Sequence, residues 1–168
     1  RVVTGDNRLA AAHVAAAVGL DASAVLTGAE IDRLDDAALD ERCGTVGVFA
    51  EMEPLHKQRV VAALRRRGET VGYLGDGIND AVALHVADVG ISVDTAVDAA
   101  KATAAIVLLD KSLDVVADGV VLGRRTFANT LKYIQITTSA NFGNMVSMAL
   151  ATPLLPFLPL TATQILAN

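Results

Sequence analysis

Along the first 110 positions, short apolar runs alternate with stretches of helical period. Runs of strand length occur at 1–6 ("RVVTGD"), 45–51 ("TVGVFAE"), 70–76 ("TVGYLGD"), 88–93 ("DVGISV") and 105–110 ("AIVLLD"). Helices are predicted from Arg8 to Val18, closed by Gly19, and over "EPLHKQRVVAALRRRG", with Pro54 near its first turn and Gly68 past its end. Two shorter helices follow, from Asn79 to Val86 and from Thr95 to Thr103. Residues 21–44 are polar and broken, with an acidic helix, "DDAALDERC", inside. The strands are apolar on both parities, which predicts strands buried on two faces. Alternation of strand and helix predicts an α/β fold, a parallel sheet with helices on both faces.

From Ser112 the pattern changes to one long helix, amphipathic and charged at first and then uncharged. Residues 1–132 carry every Asp, Glu, Lys, Arg and His; residues 133–168 carry none. A bilayer crossing takes about 20 predominantly apolar residues. Residues 133–152 are expected to supply one, with Arg124, Arg125 and Lys132 marking the cytoplasmic end. A proline-rich loop, 153–160, and the start of a second crossing, 161–168, should follow. The alternative for a helix uncharged all round is the core of a soluble bundle. The chain opens inside a strand without Met and stops at Asn168 inside an apolar pattern, so a piece of a longer protein is expected.

Composition narrows the function classes. Of 168 residues, 52% are hydrophobic, and mean hydropathy is +0.44, high for a uniform soluble domain. The net charge of −5 gives no basic footprint for nucleic acid. Cys43 is the single cysteine, which excludes an intrachain disulfide and a cysteine-based zinc cluster.

Candidate chemistry gathers in "YLGDGINDAVAL", residues 73–84. Ligands of parallel α/β sheets bind beyond the carboxyl ends of strands, where Asp6 and Asp76 both fall. Gly75 and Gly77 are expected to let the backbone turn and approach a ligand. Asp76 and Asp80, four apart at a helix start, repel each other unless a cation sits between them. Mg2+ suits that role, since it takes one or two carboxylates plus waters and phosphate oxygens. Donors for a phosphate are at hand: the Thr4 hydroxyl, the Gly5 N–H, the Asn79 amide and the Lys57 charge. Together these predict a phosphoryl-transfer site. Taken singly, Asp76 or Asp80 reads equally as a helix cap and Lys57 as a solvated lysine. The ordered set of three segments is what carries information.

That set, "TGDN", "EPLHK" and "GDGINDAVAL", resembles the phosphorylation domain of P-type cation-transporting ATPases, which has a haloacid-dehalogenase-like, Rossmann-like fold. "GISVDTAVDAAKATAAIVLLDKSL", "GRRTFANTLKYIQITTSANFGNMVSM" and "LPFLPL" are similar to the magnesium-transporting branch. The resemblance implies part of a phosphorylation domain at 1–111, a cytoplasmic stalk at 112–132 and a membrane helix at 133–152. It implies Asp76 and Asp80 as Mg2+ ligands, Asn79 and Asp80 in the phosphate network, and Lys57 on the phosphate. Thr4 and Gly5 would bind it, and Asp6 would order the loop.

The implied activity is ATP-driven Mg2+ transport through an aspartyl phosphate, in a multi-pass protein of the plasma or inner membrane. ATP would be bound mainly by a domain outside this sequence. The phosphorylated Asp of a "DKTGT" segment does not occur here, so the chain alone is expected to be inactive. Its partners would be the nucleotide-binding, actuator and further membrane segments, the lipid bilayer and the transported divalent cation. Val82 stands where the family usually has Pro, and Ala105 where many members have Asp. Thr137, Asn141 and Asn144 fall at i, i+4 and i+7 on one helix face, as an ion path or as helix contacts. Calcium-pump relatives commonly place Glu where Asn144 stands. A Ca2+ or proton pump, a soluble phosphatase of the same fold and a non-catalytic phosphate- or Mg2+-binding module are the other readings.

Overall fold

The computed structural model describes residues 1–110 and 112–154. Two units make up the chain, Arg1–Lys111 and Ser112–Asn168. The first is α/β. Its strands are β1 (Val2–Val3), β2 (Val25–Thr27), β3 (Val48–Ala50), β4 (Gly72–Leu74), β5 (Val89–Val93) and β6 (Ile106–Leu108). Its helices are α1 (Arg8–Ala17), α2 (Gly28–Ile31), α3 (Asp36–Thr45), α4 (Pro54–Arg66), α5 (Ala81–Val86) and α6 (Asp98–Thr103). Strand β2 and helix α2 lie in the stretch the sequence pattern left polar and broken. A run of three apolar-leaning residues is too short to register as a period, yet all three are buried.

All pairings are parallel, in two three-stranded sheets ordered β1-β3-β2 and β4-β5-β6. Helices cover both faces of the first sheet. Val25, Val48 and Ala50 meet Ala11 and Ala15 of α1, while Leu26 and Phe49 join the main core with Leu39, Cys43, Val60 and Val61 of α3 and α4. The second sheet turns Tyr73 into that same core. Leu74 and Ile106, on its opposite face, remain half exposed. The edge strands β1 and β4 both border a cavity of about 420 Å³, whose lining includes Val3, Tyr73 and Leu74 with Val60, Val61 and Leu64 of α4.

Local signals end the helices where the sequence places stops. Gly19 and Gly68 take φ of 75° and 81°, the left-handed conformation that closes a helix at little cost to glycine. Pro54 occupies the first turn of α4, where a missing N–H loses nothing. Asn7 caps α1, its side chain accepting from the Ala10 N–H. Cys43 is fully buried, and burial pushes its thiol up to about 11.

The second unit contains one continuous helix, α7 (Leu113–Ala151), of 39 residues. At 1.5 Å per residue its length is about 60 Å. Ser112 caps it, accepting from the Asp114 N–H. None of its residues is buried. The uncharged run lies on this helix, but among the described residues no helix is long and apolar enough to cross a membrane. Gln135, Thr137, Thr138, Ser139, Asn141, Asn144 and Ser147 dilute the apolar residues around them. Most of the expected loop, and the whole start of a second crossing, lie outside the described residues.

Candidate functional site

The segment joining β3 to α4 pins the three sequence motifs to one another. On one side it holds the "TGDN" loop. The Glu51 N–H donates to the Asp6 carbonyl, the Met52 N–H donates to the Thr4 carbonyl, and the Arg8 N–H donates to Glu51 Oε1. Glu51 adopts φ 57°, the one non-glycine residue described with positive φ, at the bend that makes these bonds possible. Within the loop, Thr4 Oγ1 accepts from the Asp6 N–H at 3.1 Å. Gly5 and Asp6 are exposed. A Cβ on Gly5 would meet its nearest neighbour, the Met52 carbonyl, at an ordinary 3.6 Å, so space does not demand glycine there.

On the other side, the first turns of α4 deliver Lys57 to the "GDGIND" loop. His56 fixes that turn, accepting from the Glu53 N–H through Nδ1 and facing Asp32 through Nε2 at 2.9 Å. A ring whose Nδ1 accepts carries its proton on Nε2 and donates it to the carboxylate. Lys57 Nζ then donates to Asp80 Oδ1 at 2.7 Å, with both side chains largely out of solvent. The Tyr73 hydroxyl donates to the same oxygen at 2.8 Å, and the Gly77 N–H to Oδ2 at 3.2 Å. Burial works against the charged form of Asp80, but these donors outweigh it and hold the carboxyl below its usual range. Burial, with the Asp80 charge beside it, pushes the Tyr73 phenol far up.

Gly75 has a different reason from the one its sequence suggests. Neither Gly75 nor Gly77 adopts positive φ. A Cβ on Gly75 would lie 2.5 Å from the Asp80 Cβ, so glycine makes room for Asp80 to seat. The loop is braced from behind: the Gly75 carbonyl accepts from Ser92 Oγ at 2.9 Å and the Asp76 carbonyl from the Val97 N–H at 3.1 Å. Ser92 is fully buried. Asp76, one residue beyond β4's terminal loop glycine, is exposed, as is Asn79.

The two acids of the loop therefore occupy unlike settings. Asp80 is engaged by protein donors on both oxygens, and Asp76 faces solvent. Among the described residues no group of three or more His, Cys, Asp or Glu is placed to hold a metal. One open carboxylate is nonetheless a fitting donor for Mg2+, which completes its shell with water and phosphate oxygens. Sequence reasoning singled out Lys57 and Asp80 and missed Tyr73 and Ser92. Their period-2 positions in core strands were the available signal, but partners on other elements cannot be read from spacing. Thr137, Asn141 and Asn144 share one unbroken helix, as their spacing requires, and all three are exposed.

Comparison with known proteins matches residues 1–88 to the family of haloacid dehalogenase-like hydrolases. Magnesium-transporting ATPase, P-type 1, of Salmonella typhimurium is 51% identical over 99% of this chain, and its namesake of Escherichia coli K12 is equally similar. A calcium-transporting ATPase of Listeria monocytogenes is 35% identical over 98%. The chain spans 18–19% of the length of these curated relatives. Among solved structures, a zinc-transporting PIB-type ATPase in an E2.Pi state superposes with a TM-score of 0.68 at 28% identity, covering 89% of this chain and 20% of that one. The chain belongs to the haloacid dehalogenase-like hydrolase family, and its relatives along almost its entire length are cation-transporting P-type ATPases.

Proposed function

We propose that this chain is part of a P-type ATPase that moves Mg2+ across a membrane, and that it supplies one side of the phosphoryl-transfer site. The observation that carries this reading is the Lys57–Asp80 pair, seated beside an exposed Asp76 and tied through residues 51–52 to the Thr4 loop. The 51% identity to magnesium-transporting relatives favours Mg2+ over Ca2+ as cargo.

Each residue has a role in this reading. The Lys57 ammonium, oriented by Asp80, faces negative charge developing on a transferred phosphoryl group. Thr4 offers its hydroxyl hydrogen, since its oxygen accepts from Asp6 and so holds the loop in shape. The Gly5 N–H and the Asn79 amide add donors. Asp76 holds Mg2+, with Asp80 nearby as anchor for Lys57, and the metal when bound neutralises phosphate charge. Support for a phosphate acceptor outside this sequence comes from the cavity between β1 and β4. Edge strands of two parallel sheets border it, and a further strand bearing an aspartate would fit between them. The rest of the longer protein would bind ATP, with α7 as stalk and first membrane segment. Its Thr137, Asn141 and Asn144 face would then turn toward other helices and the ion.

The test is Asp76→Ala in the full-length pump. Exposure of Asp76 predicts a folded variant whose Mg2+-dependent ATP hydrolysis falls at least about 100-fold, the scale of losing a charge-stabilising group. Hydrolysis within a few-fold of the parent would remove Asp76 from the site. Mg2+ uptake into cells or vesicles, lost in the same variant, identifies the cargo.

A further inference from the structure

We propose that Tyr73 is a positioning residue for the Lys57–Asp80 pair, keeping Asp80 partnered while Lys57 engages phosphate. This rests on the phosphoryl-transfer reading above. Tyr73 sits mid-strand in β4 with its ring in the core, 8% exposed. Packing alone would be served by Phe. A buried phenol needs a partner, and the described partner of this one is Asp80.

Geometry gives the hydroxyl a function beyond its own satisfaction. Asp80 Oδ1 takes two donors, Lys57 Nζ at 2.7 Å and Tyr73 Oη at 2.8 Å, while Oδ2 takes the Gly77 N–H. Gly75 leaves the carboxylate its seat, so its orientation is set by these three donors and not by rotamer freedom. A lysine bound to a buried carboxylate is a poor phosphate ligand if leaving strands that carboxylate unpaired. The Tyr73 hydrogen bond removes part of that obstacle. Asp80 stays solvated by protein when the ammonium divides itself between carboxylate and phosphate. With Phe at this position, Asp80 would claim Lys57 more completely, and phosphate would lose.

The experiment uses Tyr73→Phe in the full-length pump, with inorganic phosphate as the probe. The inhibition constant of inorganic phosphate is expected to rise about 10-fold, the size of one hydrogen bond to a charged group, while KM for ATP stays within about twofold. An unchanged inhibition constant overturns the proposal. So does a parallel rise in KM for ATP, which would mark general loosening. A second measurement does not depend on turnover. Melting temperatures are compared for the parent, Tyr73→Phe, Asp80→Ala and the double variant. Tyr73→Phe should lower the melting temperature in the parent and should not lower it once Asp80 is Ala, which leaves the hydroxyl no acceptor there. Equal drops in both backgrounds would mean that Tyr73 does not act through Asp80. A parent without ATPase activity would refute the functional reading, and the melting cycle would still decide the role of Tyr73.

Discussion

The globular unit and the long helix have nearly opposite constructions. Residues 1–110 shield part of their chemistry among their own neighbours: Lys57, Asp80, Ser92 and His56 are all buried and all bonded within the same fold, while Asp76 and Asn79 face solvent. Helix α7 buries none of its 39 residues. A buried side chain in the first unit has its properties set by contacts within this sequence. One on α7 has no such enclosure among the described residues. Charge alone does not separate them, since the helix begins charged and ends uncharged.

The sharpest way to break this contrast is Lys57→Met. It leaves Asp80 buried with its charge uncompensated, and losing one partner of such a pair costs about 3–5 kcal/mol. A drop of that size in the stability of the globular unit is expected, a large share of what a domain typically has, with α7 helicity retained. Each unit carries its own reporter, because the two tyrosines are Tyr73, buried, and Tyr133, exposed, and there is no Trp. Urea unfolding followed by tyrosine emission, with Tyr133→Phe to isolate the first unit, reads the change. A midpoint unmoved by Lys57→Met would show that the pair is not buried in solution.

Acid should separate the units next. Asp80 is held below its ordinary range in spite of burial, by Lys57, Tyr73 and Gly77, and Glu30 is held low by the Thr27 N–H. Folded values below unfolded ones give stability that is present above the unfolded carboxylate pKa, about 4. That stability is lost as pH falls through the folded values. Melts of the globular unit should therefore hold steady from pH 7 to about 5 and decline below about 4. Asp80→Asn should flatten the decline. An equally steep decline in that variant would assign the acid sensitivity to other carboxylates.

The smallest effect tests the helix. Gly119, Gly123 and Gly143 have open space where a Cβ would go. Gly143→Ala should raise helicity, worth about 0.5–1 kcal/mol by intrinsic preference. Circular dichroism of the chain in detergent micelles measures it. In the longer pump proposed above, a loss of transport on the same change would mean that another helix packs against Gly143.

Legibility in the sequence followed the same divide. The parallel α/β unit, its helix stops at Gly19 and Gly68 and the Pro54 start were readable because each depends on local chemistry. The three site motifs were readable as a set. What escaped depended on non-local packing. Strand β2 is recognisable by its place beside β3 more than by its three residues. The half-open face of the second sheet looked buried because Leu74 and Ile106 are apolar whether or not anything covers them. Gly75 was legible as necessary, but the atom it makes room for lies five residues on. The polar residues of α7 are each visible in the sequence, and together they hold its uncharged run below the apolarity of a membrane span.

The enclosure of Cys43 has a practical side. Its sulfur is sealed from solvent and its thiol resists ionisation, so maleimide and similar dyes find almost no thiolate to attack. The chain is thus silent to labelling as it stands. A cysteine introduced at any exposed point of α7 would be the sole reactive handle, and distance or accessibility probes could be attached there without first stripping the native residue away.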